Sequence, residues 1–439
     1  MEMGCGKTRV SLKFLSESGV QRTLIGCPLS AVGSWRRELG TCLPDTEYLI
    51  LDDSLPIAKR AVQLRNSAAS VVIVNFEAWW RQPLRDAIVR YKPELVIADE
   101  CHRLKRRTTK QAKFAHFLAD RPFVKYRLGL TGTPVTTGLE NLYSIFRFID
   151  SSVFGTRWGD FVDEYIIYGG YENHEIVKYR NVPQLKEKLE SAAFQIRKSE
   201  ALSLPERQDV IIPVQLSPDT LHTYKDMAKN YLAEVQGVDE LGRHVEGVSL
   251  ARIVLSSILR LQQITEGYLK LEDGTTVDIS DEKLKVALDL ISDILESDGR
   301  VVVFGRFRRM LDRLSLALGK KASMLVGGMS SKQKQVSLDN LVSSRTPVLL
   351  SQIRAGSLGI NEMVAANVAI YISTGYSLED FTQSRDRLHR DGQKRAVTYY
   401  HLQVPHSVDE KVYEDLNKDI VVARRVINLD YVARLLSAS

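Results

Sequence analysis

Cysteine is scarce in this chain: Cys5, Cys27, Cys42 and Cys101 are the only four among 439 residues. They form no C-x-x-C pair and have no histidine at zinc spacing, which excludes a disulfide scaffold and argues against a zinc centre. Free thiols in a reducing compartment are expected. Long apolar runs are also missing. None reaches the roughly 18–20 residues of a membrane span, and no secretory leader precedes Gly4. A cytoplasmic protein with no membrane partner is therefore expected. Internal repeats and low-complexity tracts are absent as well.

What is present fits a globular chain of two or three domains, with 44% hydrophobic and 26% charged residues. The net charge of +6 favours an anionic partner only mildly. Its distribution is more telling. Between Cys101 and Leu130, Arg103, Lys105, Arg106, Arg107, Lys110, Lys113, Arg121, Lys125 and Arg127 face a single acid, Asp120. Arg306, Arg308 and Arg309 form a second basic group behind an apolar run. A basic run is commonly just a solvated face, so position must decide its meaning.

Short β-branched runs alternate with amphipathic helical patterns in two series. The first comprises TLIGCP (23–28), EYLILDD (47–53), SVVIVNF (70–76), ELVIADE (94–100) and YRLGLTGTP (126–134). The second comprises RVVVFGRF (300–307), SMLVGG (323–328), PVLLSQI (347–353), VAIYIST (368–374) and AVTYYHLQV (396–404). Such alternation predicts parallel sheets covered on both faces, hence two α/β lobes. The stretch between reads as mainly helical, in PQLKEKLESAAFQIRK and SPDTLHTYKDMAKNYLAEVQ, broken by glycine-rich loops at Tyr168–Asn173 and Gly237–Gly247. GYLKLEDGTTVDIS reads as a hairpin turning at Asp273-Gly274. The expected organisation is a lobe over 1–150, a helical insertion and bridge over 151–280, and a second lobe over 281–439.

Three constellations carry chemistry. Gly4-Cys5-Gly6-Lys7-Thr8 is the second half of G-x-x-x-x-G-K-[ST], in which amides cradle phosphates, Lys neutralises them and the hydroxyl binds Mg²⁺. Taken alone it is also compatible with a glycine-rich start to a surface helix. ELVIADECHRLK puts Asp99, Glu100 and His102 at the C-terminal end of a buried strand, where open α/β sheets place ligands. An Asp there can hold Mg²⁺, and a neighbouring Glu can deprotonate water. In SLEDFTQSRDRLHRDGQ, Ser377 with Asp380 reads as a helix start and Gly392 as its stop. Gln383, Arg387 and Arg390, at i, i+4 and i+7, would then share one helical face.

Taken in order, these segments resemble superfamily 2 helicase-type ATPases of the Swi/Snf-related group. MGCGKT resembles motif I, LIGCPLSAVGSWRREL motif Ia and VVIVNFEAW motif Ib. DECH is similar to the motif II box and LTGTP to motif III. VVVFGRF, LLSQIRAGSLGIN and QSRDRLHRDGQ resemble motifs IV, V and VI, and SLPERQDVIIPVQLS and LRLQQITEGYL resemble the segment joining the lobes in compact bacterial and phage members.

The resemblance implies two RecA-like lobes using ATP and Mg²⁺. Gly4, Gly6, Lys7 and Thr8 would hold the triphosphate and the metal, Asp99 would take Mg²⁺, and Glu100 would activate water. Gln383 would sense the γ-phosphate, with Arg387 and Arg390 as arginine fingers. His102, Thr131 and Thr133 would couple hydrolysis to lobe movement. Ser30, Trp35, Arg306, Arg354 and Asn361 are candidates for nucleic-acid contact, core packing being as good a reading for Trp35. In the family a strand and an adenine-contacting segment precede motif I. A misassigned start codon, a fragment, or a protein without that strand could explain their lack here, and weak ATP binding by this form is expected. The leading functional expectation is a DNA-dependent ATPase that translocates on or remodels double-stranded or branched DNA, in a bacterial cell or phage-infected host. A strand-separating helicase and an inactive DNA-binding scaffold are the alternatives. Replication, recombination, repair or restriction proteins would be its associates.

Overall fold

A computed structural model describes residues 1–2, 4–132, 139–169, 175–196, 198–236, 247–271, 273–356 and 362–417. Thr133, Asn361 and the glycine-rich stretch at 237–246 lie outside these residues. The chain forms two compact units, Met1–Leu202 and Ser203–Ser439. The region expected as a bridge thus contributes 151–202 to the first unit and 203–280 to the second.

In the first unit, β1 (Thr23–Cys27), β2 (Tyr48–Leu51), β3 (Val71–Asn75), β4 (Leu95–Asp99) and β5 (Tyr126–Leu130) make a parallel sheet in the order β2-β3-β1-β4-β5. β1, β3 and β4 are buried at every residue, which is why they read as continuous apolar runs. Successive side chains still serve opposite faces. Leu24, Val72 and Val96 meet the helices Ile57–Arg65, Leu84–Tyr91 and Lys110–Ala119 in one core, with Leu64, Ile88 and Phe114. Ile25, Ile73 and Ile97 meet Lys7–Glu17 and Val32–Cys42 in the other, through Leu12, Trp35 and Leu39. A satellite cluster of Tyr143, Phe154, Phe161 and Tyr165 carries an antiparallel hairpin, β6 (Ile166–Gly169) and β7 (Glu175–Tyr179). These short strands flank the expected glycine-rich loop at Tyr168–Asn173, of which residues 170–173 lie outside the described residues.

In the second unit, β8 (Arg207–Pro213) comes first, followed by β9 (Tyr268–Lys270) and β10 (Thr276–Asp278), which form the expected hairpin with Gly274 at φ +86°. Arg309 pins that hairpin through Asp278 (2.8 Å) and Thr276 (2.7 Å). β11 (Val301–Gly305), β12 (Ala322–Leu325), β13 (Val348–Gln352), β14 (Val368–Tyr371) and β15 (Val397–Gln403) fall on the expected runs. The sheet order is β12-β13-β11-β14-β15-β8, with all pairings parallel. β8, read from sequence as part of a connecting segment, is therefore a sixth strand. The expected helices are present as Val182–Ala192 and Pro218–Gln236. No helix among the described residues is long and apolar enough to cross a membrane.

Candidate nucleotide and nucleic-acid sites

The first unit gathers its polar groups at the C-terminal ends of its strands. Gly4 and Gly6 adopt φ +84° and +81°, left-handed values that favour glycine, and they turn the chain into the helix Lys7–Glu17. First-turn amides and the helix dipole make that terminus suited to anions. Lys7 folds back, its Nζ donating to the carbonyls of Met1 (3.3 Å) and Glu2 (3.1 Å). Its charge reaches the Asp99 carboxyl and lowers its pKa, so cradle and acid share one electrostatic neighbourhood.

Asp99, the last residue of β4, is buried. Its Oδ2 accepts from Trp35 Nε1 (2.9 Å) and its Oδ1 from the Glu100 amide (3.0 Å). Burial, then the adjacent Glu100 charge, push the Asp99 carboxyl up to about 6 despite those donors. Trp35 is therefore a buried support of Asp99, and the expectation of a nucleic-acid contact there is corrected. An indole has one donor and no acceptor, so it can orient a carboxylate without competing for its other lone pairs.

Glu100 occupies the left-handed region at φ 52°, ψ 50°, unusual for a side chain with a Cβ. This turn ends β4 and directs the chain into the 3-10 turn Cys101–Leu104. His102 Nδ1 lies 3.2 Å from Glu100 Oε2 and 3.1 Å from Thr131 Oγ1, just beyond β5. The expected coupling residues His102 and Thr131 are thus joined to the acid. A second chain of contacts ties the ends of β3 and β4 together. Arg103 donates to Glu77 (2.8 Å), Asn75 Nδ2 donates to Glu77 (3.1 Å), and Arg60 donates to Asn75 Oδ1 (3.2 Å). Nothing in the sequence spacing revealed that chain.

In the second unit the expected single helical face for Gln383, Arg387 and Arg390 is corrected. Ser377 does cap the helix, accepting from the Asp380 amide, but the helix spans only Leu378–Arg385. Tyr399, on β15, donates its hydroxyl to the Arg385 carbonyl (2.7 Å). Gln393 Nε2 donates to the carbonyls of Leu388 (3.2 Å) and Ala366 (2.9 Å). Beyond Arg385 the chain closes tighter turns instead, the Arg387 amide bonding the Ser384 carbonyl (3.2 Å) and the Gln393 amide the Arg390 carbonyl (3.0 Å), and the Tyr399 and Gln393 side chains secure them. Arg387 and Arg390 consequently lie in the turns beyond, Arg387 buried and Arg390 half-buried. Gln383 is buried in the helix, with Nε2 3.4 Å from Glu379.

The nucleic-acid candidates fare unevenly. Ser30 belongs to the 3-10 turn Leu29–Ala31 after β1. Arg306 donates to Gln262 Oε1 (2.5 Å) and stacks over Tyr376 at 4.3 Å, so it is engaged internally. Arg308 pairs with Asp312, and Arg309 with Asp278, so this second basic group is substantially neutralised. Arg354 is 88% exposed while touching Asp380 at 3.2 Å. Members of the first basic run, together with Arg81 and Arg85 from the preceding segment, pack on aromatic rings. Arg81 and Lys110 flank the Trp80 ring at 5.4 and 4.9 Å, while Arg85 and Arg121 lie over Phe117 at 5.1 and 4.1 Å. Arg107 covers Trp158 at 4.7 Å. Within the run Arg103 pairs with Glu77 and Lys125 with Glu94, while Asp120 is engaged by Arg147. The result is a cationic face interleaved with aromatics.

Sequence comparison extends these observations. Residues 1–267 match the SNF2-related domain and residues 282–392 the helicase conserved C-terminal domain. A Bacillus subtilis protein described as a putative ATP-dependent helicase/translocase, YwqA, is 25% identical over 94% of this chain and 44% of its own length. The Arabidopsis thaliana ISWI chromatin-remodeling complex ATPase CHR11 is 26% identical over 97% of this chain and 40% of its own. The chain thus spans less than half the length of these relatives. Among solved structures, the Sulfolobus solfataricus SWI2/SNF2 ATPase core in complex with dsDNA aligns with 19% identity and a TM-score of 0.43, covering 100% of this chain and 92% of that one. With more than half of its length matched by one domain family, this chain belongs to the SNF2-related family.

Proposed function

We propose that this chain is the motor core of a DNA-dependent ATPase that couples hydrolysis to translocation on, or remodelling of, double-stranded or branched DNA. The observation that carries the reading is the acid pair at the end of β4: Asp99 buried and steered by Trp35, and Glu100 turned out beside it and held by His102. The membership in the SNF2-related family and the helicase/translocase description of the Bacillus relative support it.

The residues divide the work. Gly4, Gly6 and the first-turn amides bind triphosphate oxygens, and Lys7 exchanges its carbonyl partners for phosphate charge. The Thr8 hydroxyl and Asp99 suit Mg²⁺, a hard cation that binds oxygen donors and retains water. Asp99 fits that role because its burial disfavours an unpartnered negative charge. Bound there, the metal would neutralise developing charge on the phosphates. Glu100 orients water and takes its proton, with His102 setting the carboxylate's direction. Gln383, Arg387 and Arg390 act on the γ-phosphoryl group, and the interleaved cationic face holds DNA phosphates without reading sequence.

Phosphate release measured without DNA, with single strands, and with duplex or forked DNA tests this reading. Stimulation by duplex or forked DNA, abolished in Glu100→Gln, is expected. Hydrolysis indifferent to every DNA, or survival of activity in that variant, would overturn it.

A further inference from the structure

The segment bearing Arg387 and Arg390 lies outside any regular helix, so something else must fix its position. Among the described residues, four attachment points hold it. Leu388 is fully buried and Gln393 anchors the turn carbonyls, both on the segment's own side. The other two come from residues 203–213, where the chain enters the second unit.

Arg385, the last helical residue, donates Nη2 to Asp209 Oδ2 at 2.5 Å. Its guanidinium lies over the Tyr399 ring at 4.8 Å, while its carbonyl accepts from the Tyr399 hydroxyl. The residue is thus gripped at both ends. Asp209 is itself held: its Oδ1 accepts from His401 Nε2 at 2.9 Å, and His401 is buried and stacked on Tyr371 with ring centroids 5.0 Å apart. The β8–β15 register sets Asp209 opposite Tyr399 and Ile211 opposite His401. His389, midway between the two arginines, donates Nε2 to the Pro205 carbonyl at 2.8 Å. The Val397 amide donates to the Glu206 carbonyl at 2.9 Å, closing the far side.

We propose that residues 203–213 are a positioning brace for the arginine segment, Asp209 acting through Arg385 and the Pro205 carbonyl through His389. The inference rests on the proposed function for the role of Arg387 and Arg390. Neither Asp209 nor His389 is a catalytic residue. They set where the guanidinium groups stand, and movement where the chain enters this unit is conveyed to those groups. Charge-assisted bonds suit that task because they are short and directional.

A double-mutant cycle separates this role from ordinary stabilisation. Asp209→Ala, the milder Asp209→Asn and His389→Ala are made in the full chain, alone and with Arg387→Ala. Turnover with duplex DNA, melting temperature and amide exchange over 386–392 are measured. Asp209→Ala should lower kcat about 10- to 100-fold, as misplacement of a catalytic group does, with the KM for ATP little changed. On the Arg387→Ala background that further loss should shrink to the part conveyed through Arg390, whereas the drop in melting temperature should persist in full. Exchange over 386–392 should quicken in both Asp209 variants, a readout that needs no turnover. Additive kcat losses, or unchanged exchange, would overturn the brace. Absence of turnover in the unaltered chain would instead contradict the proposed function, leaving the exchange experiment to judge the brace alone.

Discussion

Glu100 combines its proposed role as the base with a backbone conformation that a side chain resists. Left-handed residues other than glycine cost about 1–3 kcal/mol and gather at functional sites. Replacing Glu100 by Gln keeps the shape and removes the base, so turnover should fall by about 10²–10⁴ while nucleotide binding survives. Replacing it by Gly should abolish turnover equally yet raise the melting temperature, because the backbone strain is relieved. A Gly variant that melts lower would refute that account of the turn.

Glu266 offers a separate test by pH. It is buried, neither carboxylate oxygen has a hydrogen-bond partner of normal geometry among the described residues, and burial pushes its pKa up to about 7 although Lys283, Ser373 and Arg306 pull it down. The folded form therefore holds a proton that the unfolded chain, near its ordinary 4.5, has released. The associated stability is present below about 4.5 and lost as pH rises through about 7. Glu266→Gln should leave stability at pH 4 nearly unchanged and exceed the original protein at pH 8, by denaturant titration. An equal difference at both values would show that Glu266 does not titrate in this range.

Among the elements, the helix Val32–Cys42 shows how a core residue can serve a site. Trp35→Phe preserves packing but removes the indole donor from a buried carboxylate, which should cost about 1.5–3 kcal/mol in unfolding experiments and lower turnover as well. Loss of stability with undiminished turnover would make Trp35 purely structural. Arg387→Ala should reduce kcat more than it weakens DNA binding, and the reverse pattern would make Arg387 a phosphate contact.

The strands were legible because parallel sheets buried on both faces impose unbroken β-branched runs such as SVVIVNF and RVVVFGRF. β8 was not, since its exposed edge pattern gives a polar sequence ending in Pro213. The motif helix is shorter than its sequence pattern suggests, because beyond Arg385 the amides of Arg387 and Leu388 bond three residues back, to Ser384 and Arg385, and Tyr399 from β15 fastens the Arg385 carbonyl there. The acid pair and glycine loop were readable from residue type and spacing. The supports around them, Trp35 to Asp99 and Asp209 to Arg385, depend on tertiary contacts that spacing does not encode.

At the scale of the whole chain, surface charge separates the two basic groups. Arg306, Arg308 and Arg309 are engaged with Gln262, Asp312 and Asp278. The cationic face around Trp80 and Phe117 instead presents charge to solvent. Each cation there that contacts a phosphate should contribute about 0.9 to the slope of log affinity against log salt for duplex DNA. Lys110→Ala with Lys113→Ala should therefore flatten that slope by about 1.8 if both lysines make contact, without altering hydrolysis in the absence of DNA. An unchanged slope would move the DNA surface elsewhere.

Movement along duplex DNA driven by hydrolysis is the most direct consequence of the proposed function. A triplex-displacement assay measures this directly, following release of a third strand bound ahead of the motor on an intact duplex. Displacement that requires ATP, stops in Glu100→Gln and leaves the duplex strands paired is expected. ATP hydrolysis with no displacement, or release only through separation of the duplex strands, would contradict it.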